Sequence, residues 1–142
     1  MPARSFRVGR STTGLGLFAT KPIAKRQFIV NYRGRKITNE ESERRERYGA
    51  KFMFEINSRW TIDGSSRHNL GRYLNHSCRP NAEPMLRGHK IYFRALRNIK
   101  PDEEITFNYG KEYFELFIKP FGCRCAACKR KAARRRSQNR KR

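Results

Sequence analysis

Arg72-Tyr-Leu-Asn-His-Ser-Cys-Arg-Pro-Asn81 is the stretch on which the reading of this chain turns. It is too polar for an ordinary core element, yet it lies between apolar segments. Its cysteine, Cys78, is one of four; the others crowd together as Cys123-Arg-Cys-Ala-Ala-Cys128. Four thiolates satisfy a tetrahedral zinc ion, and the two-residue gap between Cys125 and Cys128 is a common chelating spacing. Neighbouring Lys and Arg favour the thiolate form. The competing reading is four free thiols, one of them buried. If a metal is held, it pins the 110–128 region beside Asn75 and His76.

A second informative stretch is Glu103-Glu-Ile-Thr-Phe-Asn-Tyr-Gly110. A tyrosine that ends a strand and precedes glycine can present its hydroxyl into a cleft. Taken singly, His76 reads equally well as a satisfied buried histidine and Tyr109 as a core aromatic. Around these two stretches the chain reads as many short strands. Gly14-Leu-Gly-Leu-Phe-Ala19 is a glycine-rich turn entering an apolar run, and Phe28–Gly34 reads as a strand ending at glycine. Thr38-Asn-Glu-Glu41 fits a capping box, predicting a charged helix to about Tyr48 closed by Gly49. Lys51 to Asn57 alternates, with Phe52, Phe54 and Ile56 on one face, and Trp60–Asp63 is its short partner. Ile91–Leu96 and Glu104–Tyr109 are further strands, with a turn at Pro101-Asp102. No βαβ unit or repeat is present, which disfavours a doubly wound nucleotide fold. The expected class is mostly β with short helices.

The 142 residues make one domain of common size. Hydrophobic residues are 37% and aromatics 12%, enough for a core, and no apolar run approaches the ~18 residues of a membrane span. The first residues lack the apolar stretch of a signal peptide, so the chain is expected to stay inside the cell, where disulfides are rare. Lys and Arg outnumber Asp and Glu by 34 to 12, a net charge of +22. Nine of those basic residues fall in 129–142, which has no acid. Such a segment cannot bury apolar surface and reads as a disordered basic arm. A run this one-sided suits a polyanion or a nuclear address, the plainer alternative being a solubilising charge run.

The order of motifs resembles the SET-domain protein lysine methyltransferases. Gly14-Leu-Gly16, Tyr32-Arg-Gly34, the Arg72–Asn81 stretch, Glu104-Ile-Thr-Phe-Asn-Tyr109 and Cys123–Cys128 follow one another as the family's motifs do, over residues 4 to 128. The resemblance implies a minimal, stand-alone SET domain over 4–110, a Cys-rich post-SET zinc segment over 111–128, and the basic tail over 129–142. It also implies a β-clip fold of small curved sheets with a C-terminal pseudoknot, in which the late chain threads beside Asn75-His76-Ser77.

By the same resemblance, S-adenosylmethionine binds on one face and the substrate lysine enters a narrow channel from the other. Gly14, Leu15 and Gly16 border the cofactor, and Asn75 and His76 hold its amino-acid end and adenine. Arg72 supports the carboxylate end or the fold beside it, Phe52 lies at the cofactor or channel wall, and Tyr109 touches both cofactor and amine. Tyr109 and Phe107 are the implied catalytic residues, and phenylalanine at 107 implies di- or trimethylation. Cys78, Cys123, Cys125 and Cys128 are the implied zinc ligands. The chain departs from the family pattern at Phe52, where tyrosine is usual, at Asn108, where aspartate is usual, and in the short final cysteine gap.

Two readings follow. The first is a lysine methyltransferase acting on a histone or another basic, DNA-bound protein, with nucleic-acid contact through 129–142. It is placed in the nucleus and on chromatin, or in the cytoplasm and nucleoid of a bacterium. The second is a catalytically weak SET-like module that binds nucleic acid through its tail. The sequence leaves the oligomeric state open. Glu103, Glu104, Glu112 and Glu115 are the acids expected near the active-site strand.

Overall fold

The computed structural model describes residues 4–113, 115 and 118–140. Three small sheets share one core. The first begins with a hairpin of β1 (Phe6–Ser11) and β2 (Gly14–Ala19), registered Phe6 to Ala19 and Ser11 to Gly14. Gly14 closes the turn at φ +114°, a conformation that side chains with a Cβ rarely adopt. The second sheet contains β3 (Phe28–Tyr32), and the third opens with β4 (Arg35–Thr38) leading into helix α1 (Asn39–Arg47). β5 (Met53–Glu55) and β6 (Trp60–Asp63) complete the third sheet in the order β4-β6-β5.

A 3₁₀ turn at Leu70–Tyr73 delivers the chain to β7 (Asn75–His76). β8 (Ala82–Arg87) and β9 (Lys90–Ala95) form a hairpin that joins β3 in the order β3-β9-β8. β10 (Glu104–Phe107) then enters the first sheet, antiparallel to β2 and parallel to β7, giving β1-β2-β10-β7. This is the threading expected of the late chain. Thr106 lies opposite Asn75 and Phe107 opposite His76, so the two informative stretches are neighbouring strands. Buried Asn81 splices them: its Nδ2 donates to the Glu104 carbonyl at 2.8 Å and its Oδ1 accepts from the Thr106 N–H at 2.8 Å. Leu17, Ile105, Phe93, Ile91 and Leu74 are almost fully buried beneath the sheets. After β10 come a short helix α2 (Lys111–Tyr113) and helix α3 (Ala126–Arg140).

Helix α1 starts and stops where its caps predict. The Thr38 hydroxyl accepts from the Glu41 N–H at 3.2 Å. Only half of the predicted box forms, because the Glu41 carboxylate turns to Arg44 and Arg45. Gly49, at φ +90°, follows the helix end.

Two expectations need correcting. The Lys51–Asn57 strand is only three residues long, because Phe52 sits at φ +68° and breaks the alternation. That turn lets the Phe52 carbonyl accept both from the Tyr32 hydroxyl, at 2.5 Å, and from the Gly64 N–H, at 2.9 Å. A left-handed residue of this kind costs about 1–2 kcal/mol, an amount the two hydrogen bonds can offset. The tail expected to be a disordered arm is helical through residue 140. Alanine, arginine, lysine and glutamine are strong helix formers, and the first turn is tied down at Cys125 and Cys128.

Candidate functional site

Glu104 organises the first part of the site. Its carboxylate accepts from the Ser11 hydroxyl at 2.7 Å and from the Asn75 amide at 2.9 Å. The same Asn75 Nδ2 donates to the Leu15 carbonyl at 2.9 Å. Four strands are thereby tied through side chains, and the orientation of the Asn75 amide is set. Gly16 makes this possible, since a Cβ there would lie 2.6 Å from the Glu104 carboxylate. Leu15 is half exposed beside it, and an added Cβ at Gly14 would meet open space. Asn75, His76, Glu104 and Thr106 line a recess of about 260 Å³ that α3 borders on its far side.

Tyr109 forms the second part. Its hydroxyl donates to the Leu74 carbonyl at 2.7 Å, and its N–H donates to His76 Nδ1 at 3.1 Å. Its ring packs 4.7 Å from Phe107, 5.4 Å from His76 and 5.2 Å from Tyr113. Phe107 is buried against Phe93 at 4.7 Å and Phe54 at 6.1 Å. Burial, then the nearby Tyr113 and Glu104, raise the Tyr109 phenol well above its ordinary range. Tyr32 is raised likewise by burial and then by Tyr109. Both hydroxyls therefore stay protonated at neutral pH and act as dipoles, not as phenolate bases. Burial also lowers the pKa of His76.

Arg72 and Phe52 form the third part. The guanidinium lies 4.2 Å above the Phe52 ring and 5.5 Å from the Tyr73 ring, and it donates to the Ser65 carbonyl. Its Nε is buried and has no hydrogen-bond partner among the described residues. A buried donor left open is costly and suits an anionic group such as a carboxylate.

The four cysteine sulfurs lie within 4.8 Å of one another. Cys78 Sγ is 3.9 Å from Cys123 Sγ and 3.6 Å from Cys128 Sγ. Tetrahedral zinc with bonds of ~2.3 Å requires sulfurs about 3.8 Å apart, so the donor set fits that ion. Burial opposes the Cys125 thiolate, but backbone N–H groups of Cys78 and Cys128 outweigh it and hold this thiol down at about 6. Burial and its thiol neighbours push Cys123 up to about 11 and Cys78 upward as well.

The predicted residues thus fall into three adjoining groups: Gly14–Gly16 with Asn75; His76, Phe107 and Tyr109; and Phe52 with Arg72. The segment 72–76 passes through all three. Asn108, which departs from the usual aspartate, accepts from the Gly110 N–H at 2.8 Å and shapes the turn after Tyr109. Sequence reasoning missed Glu104 as the partner of Asn75 and Tyr32 as a second neutral hydroxyl beside Tyr109. Only the strand pairing puts Glu104 beside Gly16, although the glycine at 16 was a signal of close approach. Of the four expected acids, Glu103 pairs with Arg97 and Glu115 with Lys119. The Glu112 side chain lies outside the described residues.

Comparison with known proteins places this geometry. Residues 14–110 match the family described as the SET domain. The chain is 34% identical over 138 residues to histone-lysine N-methyltransferase Set2 of Drosophila melanogaster, covering 87% of this chain and 6% of that protein. It is 35% identical over 126 residues to histone-lysine N-methyltransferase trithorax of Drosophila virilis, covering 82% of this chain and 3% of that protein. The chain therefore spans a small fraction of these relatives. Among solved structures it superposes on polycomb repressive complex 2 of Chaetomium thermophilum with a TM-score of 0.71 and 30% identity, over 82% of this chain and 16% of the other. It also superposes on an autoinhibited complex of this kind, bound to S-adenosylmethionine, with a TM-score of 0.68 and 31% identity, over 77% and 15%.

Proposed function

This chain belongs to the SET-domain family, and from that premise we propose that it methylates the side-chain amine of lysine in a histone or another basic, DNA-associated protein. The observation that carries the reading is Tyr109, a neutral hydroxyl held at 2.7 Å by the Leu74 carbonyl within an aromatic wall. S-adenosylmethionine, when bound, supplies an electrophilic methyl on a cationic sulfur. Gly14–Gly16, Asn75 and His76 would hold it on the recess side, and Phe52, Arg72 and Tyr109 would complete its site. The open Arg72 Nε fits its carboxylate.

The nucleophile must be a neutral amine, whereas a free lysine has a pKa of ~10.4. Phe54, Phe93 and Phe107 make an apolar surface that disfavours the ammonium form. The Tyr109 oxygen can accept an amine N–H while its own O–H keeps donating to the Leu74 carbonyl. It orients the nitrogen without removing a proton, and alignment is then the larger share of catalysis. Phe107 offers no hydroxyl to hold the amine in one rotamer, which supports di- or trimethylation.

The four cysteines would hold one zinc ion that fixes the C-terminal segment against residue 78. Chromatin is the location that this substrate class implies. Contact with nucleic acid through 129–142 would bring the enzyme to DNA-bound substrates in spite of its net charge of +22. No helix among the described residues is long and apolar enough to cross a membrane.

The test is transfer of labelled methyl from S-adenosylmethionine to core histones, with products resolved by mass spectrometry. Wild type is expected to yield di- or trimethyl-lysine, and Tyr109→Phe to lose activity by about 100-fold, the scale on which misplaced reacting atoms slow a reaction. Equal activity in the two proteins would remove Tyr109 from the mechanism. No transfer by either, with DNA binding retained, would favour the module reading.

A further inference from the structure

We infer that the tail does not meet DNA by itself but forms one phosphate-binding face with Arg79, so that the docking surface for duplex DNA is built jointly by the motif segment and α3. The inference rests on the reading that 129–142 contacts nucleic acid. Arg79 directly follows Cys78, and α3 begins directly after Cys125. The cysteine cluster therefore brings two distant parts of the chain together, and the cleft between them is lined by Arg79, Ala127, Arg130, Lys131 and Arg134. Four of these five residues are cationic. None of the four has an ion pair among the described residues.

The neighbouring recess shares Arg79, Ala127 and Arg130 and continues to Thr12 and Thr13 of the β1–β2 turn. Arg97 also borders it, but Glu103 binds that guanidinium, so it adds little free charge. Within these two hollows the uncompensated charge thus lies at Arg79 and on α3, whose residues 129–138 are all exposed. At 1.5 Å per residue α3 is about 22 Å long, the length of several phosphates along one strand.

The chemistry of the lining selects the polyanion. Single strands are gripped by aromatic side chains on which bases stack, and the cleft has none. Arginines and a lysine without aromatic or amide partners suit duplex backbone phosphates, read without regard to sequence. Each phosphate neutralised contributes about −0.9 to the slope of log K against log salt.

The experiment measures fluorescence-anisotropy binding of the full-length chain to a mixed-sequence 20-base-pair duplex across a salt series, and needs no methyl transfer. Arg79→Ala is compared with removal of 129–142 and with Arg87→Ala, a matched loss of charge at the end of β8 outside the cleft. Arg79→Ala is expected to weaken binding roughly five- to tenfold at 0.1 M salt and to lower the salt slope by about 0.9, while Arg87→Ala does neither. If removing 129–142 abolishes binding but Arg79→Ala matches Arg87→Ala, the joint face is overturned and the tail alone binds. If the full-length chain binds no duplex, both the face and the tail reading fall. Equal affinity for a single strand with the same number of phosphates would overturn the assignment to duplex.

Discussion

At the scale of single residues, the cofactor side depends on side-chain orientation more than on side-chain identity. An asparagine amide can present either its oxygen or its nitrogen, and Glu104 decides which at position 75. With Nδ2 committed to Glu104 and to the Leu15 carbonyl, the Asn75 oxygen is the atom left for another partner. Glu104→Ala removes one of these anchors and the partner of Ser11. A lost hydrogen bond to a carboxylate is worth about 1.5–3 kcal/mol, so calorimetry should read an affinity for S-adenosylmethionine at least tenfold lower. Glu104→Gln keeps an acceptor for Asn75 and should restore most of that affinity. A lower melting temperature with unchanged cofactor affinity in both variants would make Glu104 structural only. Tyr109 shows the complementary limit. Its identity was legible as a strand-end tyrosine before glycine, but its neutrality comes from burial that the folded aromatic wall creates.

At the scale of elements, β10 between β2 and β7 is the arrangement on which the site depends. A parallel pairing of two strands about thirty residues apart places Phe107 beside His76, and Asn81 secures it with side-chain hydrogen bonds in place of a longer ladder. Helix α3 is held differently. It exposes cationic residues with no acid among them, so its helix formers act against repulsion between like charges at i and i+4. What anchors it is the first turn, where Cys125 and Ala127 are buried. Removing the metal should release that anchor. Titration with a strong chelator is expected to liberate one zinc per chain, reduce helical ellipticity and lower the melting temperature by roughly 5–10 °C, at about 2–4 °C per kcal/mol. Melting and ellipticity indifferent to chelator would show that the thiols fold this segment without a metal.

At the scale of the whole molecule, charge sets the terms on which the proposed basic substrate is met. A surface of net +22 repels a lysine-rich tail that comes within about 10 Å at 0.1 M salt, the distance beyond which salt screens it, so capture must rest on local contacts or occur on a polyanion that holds both partners. Removing 129–142 should therefore slow methylation of DNA-bound histones several-fold at low salt, and leave free histones unaffected or slightly faster. Rates on the two substrates that change alike would separate the tail from substrate delivery. How much of this was legible differs by feature. The sequence alone determined the family, because Asn75-His76-Ser77-Cys78 and the motifs around it are short, ordered and chemically distinctive. It determined the Thr38 cap and the end of α1 and the short strands within 28–34, 60–63, 91–96 and 104–109, because those depend on neighbours within a few residues. It misjudged Phe52, whose left-handed turn exists only because Tyr32 and Gly64 wait for its carbonyl, and the tail, whose charge hid its helix-forming composition. Tertiary structure alone decided that Glu104 grips Asn75, that buried Tyr32 and half-buried Tyr109 stay neutral, and that Arg79 and α3 line one cleft. Each of those depends on groups far apart in sequence, and local chemistry carries no record of which distant neighbour folding will supply.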